Sequence, residues 1–375
     1  MGERACHLGD ISKTFALLTL LVSASVDARS LIVITDMEPD DRISLILLAA
    51  LGPEAISLVG TSGLHAGRKA ALVRQLMDQL GMPDVPVVQG NGGLPATYPD
   101  ISSSRAALRY RREGEHLLSQ GQLETLSRDV PRSSDELQKR LRSMLQAARD
   151  VEVLLLAPAI DLVELLESHP ELRANLKHIH MMGGWSESIG TVGNISRWSS
   201  YNWNMAPEAA ARLLQMREIP MTLYSTHMIK RDFSGGSINR DDFPEIIELL
   251  EEKARQYEWA ESFFTSSASW DSHVLQQIPY LIPIIGNHAG QQFTPADPVV
   301  VLGLSNPELV IRVQAVDISI DLEDLDPAQG YRVTVKENSA SNIKSIEAID
   351  TLAFRRQIAS IILRLSTNGA QFEAQ

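Results

Sequence analysis

The 375 residues carry 34 Lys and Arg against 47 Asp and Glu, a net charge of −13 with a pI near 5.2, and the basic side chains form no cluster, which argues against a nucleic-acid partner. Apolar residues make up 44% of the chain, ample for a large core, and beyond position 30 no run of about 20 apolar residues exists to span a membrane. The single cysteine, Cys6, stands in the N-terminal stretch without a lipobox context, so the rest of the chain has no thiol nucleophile, thiolate metal site or internal disulfide.

Residues 1–28 read as a secretory signal peptide. Arg4 and Lys13 precede an apolar run over 15–26 that is too short to cross a bilayer, and Val26-Asp27-Ala28 fits the small-x-small cleavage rule. Glu3 and Asp10 are atypical of such a leader. The expectation is export, to the periplasm or the exterior; an uncleaved chain would be cytoplasmic.

Residues 31–35, LIVIT, are β-branched and apolar and predict a buried strand. Asp36, Glu38, Asp40 and Asp41 follow, with Pro39 before the pair, and an apolar helical run resumes at Ile43. Strand, acidic loop, helix is how an α/β fold presents ligands at the carboxyl ends of its strands. Capping and the helix dipole account for Asp40 and Asp41 but not for Asp36 at the strand end. Carboxylates this dense repel one another unless a cation sits among them, and an oxygen-only set suits Ca²⁺ or Mg²⁺.

A second strand is expected over 56–61, followed by the loop Ser62-Gly-Leu-His65-Ala-Gly67 and a helix to about 80 that begins with Arg68 and Lys69. A short third strand over 85–90 runs into QGNGG. Residues 91–132 are polar and read as an insertion or flap over the strand ends. A helix is expected over 133–148, a strand over 151–157, and a helix from Pro158 to 167. Residues 178–182 and 219–225 read as further strands, with a helix from Ala206 between them. Residues 241–265 read as a long acidic helix, 266–294 as loop, and 297–302 as an apolar segment. Residues 310–335 alternate like a β-hairpin, 349–365 close as a helix, and 366–375 read as a disordered tail. Strands alternating with helices predict an α/β fold with a mainly parallel, Rossmann-like sheet flanked by helices and extended by C-terminal β structure. Residues 29–365 read as one domain.

At Asp36-Met-Glu-Pro-Asp40-Asp41 the chain resembles the inosine–uridine-preferring nucleoside hydrolases, whose family opens with strand, Asp-x-x-x-Asp-Asp, helix. Four later segments are similar to the family in the same order: LLAPAIDL at 155–162, Met-Gly-Gly ending at Gly184, Asn194 and Asn202 before Pro-Glu-Ala-Ala, and Asp297-Pro. Residues 342–350 resemble its C-terminal Asn…Asp segment. The resemblance implies a Ca²⁺ held by Asp36, Asp41, Asp297 and the carbonyl of Ala157. It assigns Asp40 and Asn202 to the ribose hydroxyls, Asn194 to the 5′ side and Asp36 to the base that deprotonates the attacking water. The substrate it implies is a small nucleoside-like molecule, and the reaction is hydrolysis of its N-glycosidic bond. Members usually form dimers or tetramers, and no homo-oligomer interface is legible in this sequence.

The departures concentrate on the leaving-group side. The family's Glu two residues before the second asparagine is Ser200 here, and the His before the late aspartate is Ala296. His65 and His288 are candidates to line the pocket, and Trp203, beside Asn202, is the candidate to stack on a base; for Trp185 and Trp270 core packing is the default. His178 and His180 read as structural. The rival readings are a non-catalytic protein that binds Ca²⁺ and a ribosyl ligand, and a Mg²⁺-dependent phosphohydrolase. The chain has no Gly-rich phosphate loop with Lys, which counts against the latter.

Overall fold

The run LIVIT forms β1 (Leu31–Thr35), buried at all five positions, as a strand covered on both faces must be. The computed structural model describes residues 30–52, 55–63, 65–91, 135–185, 200–233, 295–326, 330–358 and 360–361. After β1 come α1 (Pro39–Leu51), β2 (Ile56–Thr61), α2 (Ala66–Gln79), β3 (Val87–Gln89), α3 (Asp135–Ala147), β4 (Val151–Leu156), α4 (Ile160–Ser168) and β5 (Leu176–Gly183). The chain continues through α5 (Tyr201–Met205), α6 (Pro207–Gln215), β6 (Met221–Ser225), α7 (Thr226–Phe233), α8 (Ala296–Ser305), β7 (Val310–Asp326), β8 (Gly330–Glu337) and β9 (Ile343–Ile349). Residues 351–358 are helical.

Among the described residues nine strands form one sheet in the order β3-β2-β1-β4-β5-β6-β9-β7-β8. Neighbours from β3 to β9 pair in parallel, and β7 pairs antiparallel with both β9 and β8. The expected parallel α/β sheet with a C-terminal β extension is what the structure contains. The expected hairpin of 310–335 is β7 with β8, but β9 is a strand the sequence reading treated only as a family-like segment. Its pattern IKSIEAI has no clean alternation, yet Ile343, Ile346 and Ile349 are buried where it lies between β6 and β7. The apolar segment after Asp297 is the helix α8. It is buried from Ala296 to Gly303, so it has no polar face from which a helical period could be read.

One face of the sheet packs under α1, α2, α8 and the side chains of Phe354, Ile358 and Ile361; the other packs under α3, α4, α6 and the β7–β8 ribbon. Each fully buried Leu, Ile or Val contributes about 1.5–3 kcal/mol relative to exposure, so both layers are held mainly by apolar burial. Strand order reverses between β1 and β4: β2 and β3 lie to one side of β1, and β4 to β6 to the other. At such a switch point the adjacent crossovers leave on opposite faces and open a crevice at the strand ends. Thr35 pairs with Leu156. Asp36 and Ala157, each one residue farther, therefore stand at that crevice.

The candidate leader (1–28), the flap, the long acidic helix and the C-terminal tail lie outside the described residues. No helix among the described residues is long and apolar enough to cross a membrane.

Candidate metal centre

The loop from β1 to α1 is wound around Asp41. Thr35 Oγ1 donates to Asp41 Oδ1 and accepts from Met37 N at 2.9 Å, while Glu38 N donates to Asp41 Oδ2 at 2.8 Å. The Glu38 side chain accepts in turn from the Asp41 backbone, completing a capping box with Pro39 in the first turn. Met37 takes a left-handed backbone conformation, φ 52°, with its side chain buried. Asp41 thus caps the helix, as the simplest reading of the sequence held, and faces other carboxylates as well.

Those carboxylates come from two elements. Asp40 and Asp41 open α1. Asp297 opens α8, which packs on α1, and its backbone N–H donates to Asp40 Oδ2 at 3.5 Å. One oxygen each from Asp40, Asp41 and Asp297 lie within 4.8 Å of one another. Asp36, 2% exposed, adds a further carboxylate that hydrogen bonds to Asp41. Burial, followed by the charges of Asp36 and Asp40, pushes the Asp41 carboxyl well above the usual carboxylate range. Burial, followed by the charges of Asp41, Asp40 and Asp36, does the same to Asp297. Asp297 Oδ1 is buried with no hydrogen-bond partner among the described residues. Four carboxylates this close, three of them buried and Asp40 half-buried, need protons or a cation, and the all-oxygen donor set fits a hard divalent cation. The geometry groups Asp40 with Asp41 and Asp297, and adds Asp36 through its bond to Asp41.

The neighbouring strand ends bring further candidates. Asn202, in α5, directs Nδ2 to the Leu156 carbonyl at 3.1 Å and the Met182 carbonyl at 3.5 Å, bridging β4 and β5 beside Ala157. His65 is half-buried in a left-handed conformation (φ 56°) at the start of α2. The loop before it runs close to the acidic site: a Cβ on Gly63 would lie 4.0 Å from Asp36 Cβ and 3.6 Å from the Pro158 ring. Asn194 and His288 lie outside the described residues.

Trp203 does not occupy the place expected of a base-stacking residue. It is 2% exposed and belongs to the core under the sheet. Its indole fills the space where a side chain at residue 183 would go: a Cβ on Gly183 would come within 2.5 Å of Nε1. An aromatic residue beside a polar site residue looks alike in sequence whether it faces ligand or core, and here the β5 glycine decides for the core. Ser200 turns its hydroxyl inward to accept from Trp203 N at 3.3 Å, capping α5. Ala296 is buried at the start of α8. Trp185 is core, and His178 bonds Thr222 Oγ1 at 2.8 Å and stacks on His180 with ring centroids 4.4 Å apart.

Sequence reasoning passed over Asp161. It sits fully buried in the first turn of α4 and accepts from Ser62 Oγ at 2.6 Å and from Asn91 N at 2.8 and 3.0 Å. Burial raises its carboxyl to about 6 despite those bonds. The available signal was an aspartate inside the apolar run LLAPAIDLV, three residues after a proline.

Sheet, switch point and acidic crevice together define a doubly wound α/β protein with its candidate site at the carboxyl ends of β1 and β4. The chain belongs to the inosine-uridine preferring nucleoside hydrolase family, whose sequence model matches residues 31–356. A curated relative, the pyrimidine-specific ribonucleoside hydrolase RihA of Salmonella paratyphi A, is 28% identical over 187 residues, 49% of this chain and 56% of the relative. The chain thus spans little more than half the length of the curated relatives it matches. The structure of an inosine-uridine preferring nucleoside hydrolase from Bacillus anthracis superposes with a TM-score of 0.60 at 16% identity, covering 89% of this chain and 99% of the other. A purine-preferring ribonucleoside hydrolase from Gardnerella vaginalis gives 0.59 at 16%, covering 89% and 98%. At that identity the two structures speak for the fold.

Proposed function

We propose that this chain hydrolyses the N-glycosidic bond of ribonucleosides or close analogues, releasing base and ribose with the help of a Ca²⁺ ion. The observation that carries the reading is the gathering of Asp36, Asp40, Asp41 and Asp297 in a crevice at the switch point, in a chain of this family. The names of the relatives support the substrate class. In this reading Asp36, Asp41, Asp297 and the Ala157 carbonyl hold the cation, and Asp40 and Asn202 take the ribose hydroxyls. Asn194 serves the 5′ side, and His65 and His288 are candidate pocket residues.

Bound there, a divalent cation supplies charge that lowers the pKa of a water and a template for neighbouring hydroxyls. Asp36 accepts the proton of the attacking water, whose oxygen bonds to C1′ as the C1′–N bond breaks and its electron pair leaves with the base. The carboxylates favour the positive charge that develops on the sugar in an oxocarbenium-like transition state. Residues 29–365 act as one domain on a small molecule, without nucleic acid or membrane span, and self-association follows the family's habit. The test is chromatographic separation of base from nucleoside for a purine and pyrimidine panel. Free base that disappears with chelator and returns with Ca²⁺ supports the proposal; inorganic phosphate release from phosphate esters instead would replace it.

One observation favours a second reading, a protein that binds Ca²⁺ and a ribosyl ligand without turning it over. The hydroxyl of Ser200 is spent on capping α5, and Ala296 offers no proton for a leaving base. A nucleoside-induced rise in melting temperature with no product would select this reading. For localisation we propose export. Mass spectrometry of the protein from its native source should find the mature N-terminus near Arg29, and peptides from residues 1–24 would contradict it.

A further inference from the structure

Three crossovers meet on Asp161. Its carboxylate, carried by α4, takes the Ser62 hydroxyl from the loop after β2 and the Asn91 backbone N–H from the end of β3. The two loops are tied to each other and to β1: Gly90 N donates to Thr61 O at 2.7 Å, Gly63 N to Asn91 O at 3.0 Å, and Ser62 N to Thr35 O at 3.1 Å. The seat is closely fitted, since a Cβ on Gly90 would lie 2.6 Å from Asp161 Oδ2, Leu137 Cδ2 and the Thr61 carbonyl. Gly63 then brings the segment against Asp36 and Pro158, with His65 two residues on. A carboxylate removed from water is costly unless it is bonded, and an alanine or leucine would fill the same helical position at no such cost.

We propose that Asp161 is a positioning residue: by clamping Ser62 and Asn91 it seats Ser62 and Gly63 against the Asp36 side of the crevice, where they form one wall of the substrate site. The catalytic part of this statement rests on the hydrolase reading above; the clamp itself does not. Asp161 is held by Ser62 and Asn91 and is carried by α4, not by the elements that carry the cluster carboxylates, so its loss should loosen the wall and leave the chemistry of Asp36 in place. In Asp161→Asn the amide oxygen can still accept from Asn91 N and the amide NH₂ can donate to Ser62 Oγ, so this variant should restore the clamp without the charge.

The experiment compares Asp161→Ala, Asp161→Asn and Ser62→Ala with the full-length protein by amide hydrogen exchange and by steady-state kinetics on the best nucleoside of the panel. The expectation for Asp161→Ala is faster exchange in peptides covering 60–67 and 88–91, with 151–156 still protected. KM should rise about tenfold with kcat within a few-fold of the parent. Asp161→Asn should return both readouts most of the way. If Asp161→Ala fails to fold, Ser62→Ala, which removes only the hydroxyl donor, should show the same pattern in weaker form. Unchanged exchange in the folded variants overturns the clamp, and faster exchange with unchanged KM overturns the positioning role. Should the parent release no base from any nucleoside, the hydrolase reading falls, while the exchange data still decide the clamp.

Discussion

Asp36 and Asp161 are both buried aspartates at the ends of strands of the same sheet or just beyond them, and their surroundings differ. Asp36 sits among like charges, where a bound cation would keep it ionised and able to take a proton. Asp36→Asn keeps the shape and removes the base, so it should lower turnover at least about 100-fold without lowering the melting temperature. Near-normal turnover in that variant would remove Asp36 from the role. Asp161 is burdened by burial, with a smaller push from Glu164, against the hydrogen bonds of Ser62 and Asn91, and its carboxyl stands at about 6 instead of 3.8. The folded state therefore binds this proton more tightly than the unfolded chain does. Its contribution is fully present below about pH 3.8 and is lost as the pH rises through 6. The melting temperature of Asp161→Asn should gain on the parent between pH 4.5 and 7.5, and a constant difference across that range would contradict the assignment.

At the level of elements, the parts with the clearest pattern were legible in sequence. The buried β-branched run of β1 and the amphipathic α3, with Leu137, Leu141 and Leu145 on its inner side, needed no tertiary information. Leu137 packs directly on Gly60 of β2 and on Gly90. Leu137→Ala should therefore cost about 2–5 kcal/mol in denaturant unfolding and disturb the β2–β3 end of the site before the acidic loop; a loss below about 1 kcal/mol would mean the site collapses around the gap. Where burial erases the pattern, the sequence was silent. Helix α8 is apolar all round, and β9 owes its strand character to lying between β6 and β7. The carboxylates after β1 stood out in sequence because several at the end of a buried strand have few purposes, whereas Asp297 entered only through the family resemblance. Trp203 and Asp161 were misread or missed because whether a side chain faces core, ligand or loop is settled by a glycine or a serine far away in sequence.

For the molecule as a whole, the sheet order places the reversal between β1 and β4, and the four carboxylates meet there although Asp297 is more than 250 residues from Asp40 in the chain. An arrangement assembled over such a separation, at the cost of burying several charges, implies a ligand that offsets their repulsion. The central claim is that this ligand is a cation and that the same site releases ribose. The direct test strips the purified protein with chelator, then titrates Ca²⁺ while following bound metal and reducing sugar from a responsive nucleoside in the same samples. The account predicts no ribose without metal and a rise in ribose release that tracks binding up to one Ca²⁺ per chain. Ribose release that ignores the chelator, or one Ca²⁺ bound per chain with no release from any nucleoside, would contradict it.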